Sequence, residues 1–170
     1  MTPSTFLARI LDPGLEWVAT HGAVAQNRAA ARPWLLAVAI QETALLERFQ
    51  ITTGSGPGPA RSWWQVEAPT IGLLLKHPVS RPRLLAMCQA ATVRAEPACI
   101  WRAIEGHDAL AVGVARLLLL TDPHPVPIGE AEGWATYTRV WRPGKPHPSK
   151  WPAAWAAARE ACGAAAVALQ

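Results

Sequence analysis

The chain has little of several things. In 170 residues it carries three aspartates, one tyrosine, two phenylalanines and three cysteines, Cys88, Cys99 and Cys162. An odd number of cysteines without metal-ligand spacing excludes a full disulfide framework and predicts free thiols in a reducing compartment. No apolar run approaches the roughly 18 residues of a membrane span. The longest, Trp34 to Ile40 and Val112 to Leu120, fit buried helices, so no membrane span is expected. The opening MTPSTFLARILDPGLEW lacks a basic start, a long apolar stretch and a small-residue cleavage site, which predicts no secretion signal. The five histidines show no i, i+4 pair, and His77, His124 and His147 each adjoin a proline. Neither a metal nor any other cofactor is therefore expected. There is no Gly-x-Ser-x-Gly elbow, no phosphate-binding loop, no dinucleotide fingerprint and no solenoid repeat.

Charge is sparse as well. Sixteen Lys and Arg face twelve Asp and Glu, for a net charge of +4, and no block of five like charges occurs. Arg28 with Arg32, or Arg81 with Arg83, has the spacing to meet phosphate, but solvated faces are the simpler reading. Nucleic acid is not the expected partner. The mild excess suits approach to some other anionic polymer.

Apolar residues, at 51%, are plentiful enough for one domain over 1–170 with a real core. Period-2 alternation is almost absent, which predicts an all-α fold with at most a minimal β element near Ser62 to Val66. Helices are expected over 3–11, 14–30 with a break near Gly22, 34–48, 69–76, 81–94, 97–105, 108–120, 130–141 and 149–168. Pro33 is placed in the first turn of the third of these. The composition of Ile51 to Arg61, ITTGSGPGPAR, forbids regular structure and predicts a loop.

Glu42 is the acid that stands out. In the helix PWLLAVAIQETALLERF its neighbours at helical spacing are Val38 and Ala39 on one side and Leu45 and Leu46 on the other. A carboxyl among apolar groups resists ionisation, holds a proton nearer neutral pH, and can act as a general acid. The alternative is that Glu42 sits at the solvent edge of the stripe and pairs with Arg48 or Arg61. Next comes GPGPARSWWQVE, Gly56 to Glu67, in which a glycine-rich loop delivers Trp63, Trp64 and Gln65 towards Glu42. Indole faces suit stacking on sugar rings, and an amide both donates to and accepts from hydroxyl groups. Adjacent residues of an extended piece point to opposite faces, so one tryptophan is expected in the core and the other in a cleft.

These motifs resemble the lysozyme-like superfamily, in the branch of goose-type lysozymes and soluble lytic transglycosylases that includes phage-encoded members. AIQET, Ala39 to Thr43, is similar to the family's A-x-x-E-S pattern, with Glu42 at the catalytic position and Thr43 in place of serine. GPARSWWQ, Gly58 to Gln65, is similar to its G-A-x-G-hydrophobic-x-Q segment, with Gln65 at the family glutamine and Ser62 in place of a glycine. WATYTRVWRPGKPHP, Trp134 to Pro148, resembles the late helix and loop that supply a cleft tyrosine, here Tyr137. The resemblance implies a lysozyme-like helical domain with a cleft that binds peptidoglycan glycan strands. Glu42 would be catalytic there, with Gln65, Trp63, Trp64, Tyr137 and Thr43 holding substrate.

Two-carboxylate glycosidases place their acids about 5–5.5 Å or about 6.5–9.5 Å apart. No aspartate follows Glu42 in its loop, and Glu47 lies roughly 140° round the helix from Glu42. Glu67 is the one plausible second carboxylate, and a solvated or capping role fits it equally. One acid suffices for a lytic transglycosylase, in which the glutamate protonates the glycosidic oxygen and then takes a proton from the sugar's 6-hydroxyl. The basic turn RPGKPHP, Arg142 to Pro148, is either a connector or a contact with the anionic wall or a partner. A wall-degrading protein without a secretion signal is expected in a phage virion or the host cytoplasm, acting at the periplasmic wall. The other reading is a tail or head–tail component among other virion proteins, with this fold and weak or lost activity.

Overall fold

The computed structural model describes residues 1–24, 28–52 and 56–167; the expectations for 25–27, 53–55 and 168 lie outside the described residues. The fold is all-α. Thr2 caps α1 (Pro3–Phe6), its hydroxyl accepting from the Thr5 amide at 3.2 Å. The chain continues through a wider π turn, Leu7–Leu11, into α2 (Asp12–Gly22). Pro13 crowds the carbonyl one turn before it and donates no hydrogen bond, and the π turn lies across that position. Ala23, in the left-handed region at φ 51°, stops α2.

The next helix differs from expectation at both ends. Helix α3 runs from Arg28 to Thr43, so Pro33 lies inside it rather than in its first turn. The alanines at 29–31 favour helix strongly enough to extend it ahead of the proline. It ends at Thr43, not Arg48, because Ala44 and Leu45 both take left-handed backbone, at φ 49° and 57°. Thr43 seals that end, its hydroxyl donating to the Ala39 carbonyl at 2.9 Å and accepting from the Leu45 amide at 3.3 Å.

Two isolated antiparallel bridges, Phe49 with Arg61 and Arg61 with Val66, form the minimal β element. Between the last pair the chain makes a turn, and Ser62 and Gln65 sit at φ 67° and 48°. The serine at the resembled glycine position thus adopts the conformation glycine takes most easily. The remaining helices are α4 (Ala68–Leu74), α5 (Ser80–Ala90), α6 (Pro97–Gly106), α7 (Asp108–Leu120), α8 (Glu130–Val140) and α9 (Trp151–Val167), the last entered through a 3-10 turn, Pro148–Lys150. Helix α5 stops before 94 because Thr92 is left-handed at φ 55°.

Helix α7 is the axle of the core, with every residue from Leu110 to Leu119 buried, and it packs on α2, α5 and α6. Gly14 lets α2 approach it, since a Cβ there would lie 2.5 Å from a Val112 methyl. A second group of helices pairs α3 with α9, and α8 also packs on α9. One core cluster joins both groups, from Phe6 to Ala161. Tryptophans pin the parts together through their indole N–H groups. Trp34 donates to the Gly133 carbonyl at 3.0 Å, Trp64 to Leu35 at 2.9 Å and Trp141 to Trp64 at 2.8 Å. Among the described residues no helix is long and apolar enough to cross a membrane.

Candidate active site

A cleft of about 1410 Å³ opens between the two helix groups. The C-terminal end of α3 brings Glu42 to it, and the turn after the glycine-rich loop brings Gln65 and Glu67. Tyr137 on α8, which packs with α3 against α9, lines the same cleft.

Glu42 and Tyr137 meet although they are 95 positions apart: the phenol donates to Glu42 Oε1 at 2.7 Å. Burial pushes the Glu42 carboxyl from its ordinary 4.5 up to about 7, against the pull of the Tyr137 hydrogen bond, which favours the ionised form. Tyr137 is itself buried, and its ring stacks on Trp151 with centroids 5.4 Å apart. Burial, the Glu42 charge and the hydrogen bond raise the phenol's pKa above its ordinary value, so it remains a donor. Gly133, one turn before Tyr137, has no side chain, and a Cβ there would lie 2.7 Å from the Trp155 ring. That close approach seats α8 on α9 and sets the tyrosine's height over the cleft.

Neither arginine offered as a partner touches Glu42. Arg48 forms a bidentate pair with Asp108 at 2.5 and 2.8 Å, and Arg61 pairs with Glu105 at 2.7 Å while stacking over Trp101. Leu45 and Leu46 do not flank Glu42 at helical spacing either, since the helix has ended.

The tryptophan expectation is corrected. Trp63 and Trp64 are both core residues, 5% and 0% exposed, and neither faces the cleft. The segment is a turn and not an extended piece, so alternation of faces does not operate. Trp64 packs edge-on against Phe6, and Trp63 lies beneath Arg48 and donates to Asp108 at 3.0 Å. Thr43 is corrected likewise, because its hydroxyl closes α3 and reaches the Trp63 carbonyl at 3.4 Å instead of lining the cleft. Gln65 does line it, with its amide nitrogen held by the Ser62 carbonyl at 2.9 Å, which leaves Oε1 to meet a ligand.

Glu67 is exposed at the cleft rim, in the N-cap position of α4 without making a side-chain cap. Sequence reasoning passed over a third acid, Asp122, which also lines the cleft. Burial alone would raise its carboxyl, but hydrogen bonds from Arg139 at 2.5 Å and His124 at 2.7 Å outweigh that and hold it below its ordinary value. Such a carboxylate is locked as an ion and is a poor proton carrier. Trp141, also unanticipated, supplies an indole wall, and Arg142, Lys145 and Lys150 line the same side. The earlier pair Arg32 and Arg28 makes no joint site: Arg32 is bound bidentately to Asp12 at 2.7 Å, and the Arg28 side chain is outside the described residues.

No protein family, curated protein or solved structure matches this chain.

Proposed function

We propose that the protein is a lysozyme-like glycosidase that cleaves peptidoglycan glycan strands, with Glu42 as general acid and then general base. The observation that carries this reading is a cleft carboxyl with a pKa of about 7, held through one oxygen by a buried tyrosine. At neutral pH such a group is protonated about half the time, which suits it both to give and to accept a proton. With Tyr137 on Oε1, Oε2 is the oxygen that carries the proton. It protonates the glycosidic oxygen as the bond to the muramyl anomeric carbon breaks. The carboxylate so formed keeps the Tyr137 hydrogen bond and then takes the proton of the sugar's 6-hydroxyl, whose oxygen closes on the anomeric carbon. Nothing is lost or gained in this step, and the product ends in a 1,6-anhydro ring.

A second catalytic carboxylate has weak support. Glu67 is out at the rim, and Asp122 is bound by Arg139 and His124. Lytic transglycosylase chemistry, which needs one acid, is thus the better fit. Gln65 and the Trp141 wall are suited to orient N-acetyl and ring groups of the strand. Peptidoglycan zymography tests the reading: the wild type should clear the gel and Glu42→Gln should not, and mass spectrometry should find anhydro ends, one water lighter than hydrolytic ends. A folded wild type that clears no peptidoglycan, or a Glu42→Gln protein that clears it equally well, overturns the proposal.

A further inference from the structure

Helix α8 carries the donor to Glu42, and its first half is seated on α9 through Gly133. The second half, where Tyr137 stands, is held from a different direction. Arg139, two residues past the tyrosine, turns its guanidinium back along its own helix. Nη2 donates to the Thr136 hydroxyl at 3.2 Å and Nη1 to the Ala135 carbonyl at 3.3 Å. The same guanidinium forks onto Asp122, with Nη2 donating to Oδ2 at 2.5 Å and Nε to both oxygens at 3.2 Å. Arg139 thus joins the turn of α8 on which Tyr137 sits to a carboxylate outside the helix.

Asp122 is a firm anchor. It follows α7, the buried axle of the core, by two residues, and the last turn of that helix carries on into it. The Thr121 hydroxyl donates to the Leu118 carbonyl at 2.7 Å, and the Asp122 amide donates to the Leu119 carbonyl at 3.2 Å. Its side chain is 2% exposed and also accepts from the His124 ring at 2.7 Å and the His124 amide at 3.3 Å. A fully solvated ion pair would be worth little. Here the carboxylate is closed off from water and oriented by several donors, and a forked pair of that kind fixes geometry. Hydrogen bonds weaken steeply away from their preferred distance and angle. The 2.7 Å contact of Tyr137 with Glu42 therefore depends on where the second half of α8 lies.

We propose that Asp122 is a positioning residue: through Arg139 it fixes the turn of α8 that aims the Tyr137 hydroxyl at Glu42. The inference rests on the proposed function for the role of Glu42, and goes beyond it in assigning a second acid of the cleft. The oxygens of Asp122 are taken by Arg139 and His124, so it acts through the helix and not on the substrate.

Charge and position make opposite predictions. Asp122→Asn removes a negative charge and leaves Arg139 unmatched, so by field alone Glu42 would ionise more easily and its pKa would fall. If the tether aims Tyr137, the same change loosens the phenol's hydrogen bond and the pKa rises. Arg139→Lys keeps the charge but cannot reproduce the fork, so field predicts no shift and position a rise. The other titratable groups lining the cleft, Glu67, Lys76, His77, Lys145, His147 and Lys150, are common to all variants and cancel in the comparison.

The test follows the Glu42 side-chain carboxyl by carbon NMR without substrate, its signal identified by its absence from Glu42→Gln. Asp122→Asn and Arg139→Lys should each raise that pKa by roughly half a pH unit or more, short of the Tyr137→Phe shift. In a Tyr137→Phe background neither substitution should raise it further. The alkaline limb of peptidoglycan clearing should move up with the titration. An unchanged titration in both variants overturns the inference. So does a fall in Asp122→Asn, the mark of a field effect, or a rise that persists in the Tyr137→Phe background. Should Asp122→Asn fail to fold, Arg139→Lys, a change at a side chain 40% exposed, decides alone. Because Glu42 is titrated without substrate, each of these results leaves the glycosidase reading intact. That reading falls instead if Glu42→Gln clears peptidoglycan as the wild type does, whatever the titration shows.

Discussion

Replacing Glu42 with glutamine should make the protein more stable at neutral pH while removing its activity. Moving a carboxyl from 4.5 to about 7 on folding disfavours its ionised form by about 3 kcal/mol, at about 1.4 kcal/mol per pH unit. The native state therefore holds a proton that the unfolded chain has already released between those two values. Stability contributed by that proton is complete below pH 4.5 and is lost as the pH rises through 7. Glutamine cannot ionise, yet its amide oxygen can still accept from Tyr137, so the variant keeps the contact and loses the titration. The stability difference between variant and wild type should be near zero at pH 4. It should grow with pH and level off above pH 7 at no more than about 3 kcal/mol, a ceiling set by the openness of the cleft to water. For a chain of this length that is up to roughly 6–12 °C in thermal midpoint. Thermal unfolding followed by circular dichroism from pH 4 to 8.5 reads it directly, because titrations common to both proteins cancel in the difference. Activity at neutral pH should fall by roughly 10²–10⁴-fold. A stability difference that stays constant across the range would refute the perturbed carboxyl, and with it the acid–base assignment.

Tyr137→Phe removes a hydrogen bond to a carboxylate, an interaction worth about 1.5–3 kcal/mol, so the Glu42 pKa should climb by roughly one to two pH units. The alkaline limb of activity against pH should move up with it; a limb that stays put would detach Tyr137 from the acid. Gly133→Ala sets a Cβ 2.7 Å from Trp155 and 3.1 Å from Trp151, and should cost about 1–3 kcal/mol in urea unfolding with a change in the near-ultraviolet tryptophan spectrum. Glu67→Gln, at the exposed rim, should retain most activity and leave the anhydro product unchanged. Loss of activity together with reducing-end products would make Glu67 a second carboxylate.

Much of the helix inventory was legible because apolar periodicity is set by burial, and α6, α7 and α8 are buried along one stripe or, for α7, nearly all round. What escaped was conformation that carries no residue signature. Ala44, Leu45 and Thr92 end or follow helices in the left-handed region without a glycine or asparagine to announce it. Pro33 was misleading for the opposite reason, since its preference for a first turn is outweighed by the helix-favouring alanines ahead of it. The Trp63–Trp64 pair failed on the same ground as Ala44. A six-residue turn closed by Arg61 and Val66, with two left-handed residues inside it, has no strand-like alternation to read.

Glu42 was found by an argument only half of which operates. Val38 and Ala39 are buried on its helix, but Leu45 and Leu46 are past the helix end, and Leu46 is 69% exposed. The acid's raised proton affinity comes from its burial, at a cleft whose other walls are supplied by α8 and by the loop after α3. This explains why the flanking sequence could point to a desolvated acid and still misname its surroundings. The apolar stripe of α3 drives the helix into the core with its last turn at the surface of the packing. Whichever polar residue occupies that turn on the inner side is desolvated by what folds over it. Tyr137 reaches it only because Gly133 lets α8 settle onto Trp151 and Trp155, which fixes the phenol at hydrogen-bonding distance. The acid, its donor and the small residue that seats the donor therefore stand or fall together, although α3 and α8 lie far apart in the chain.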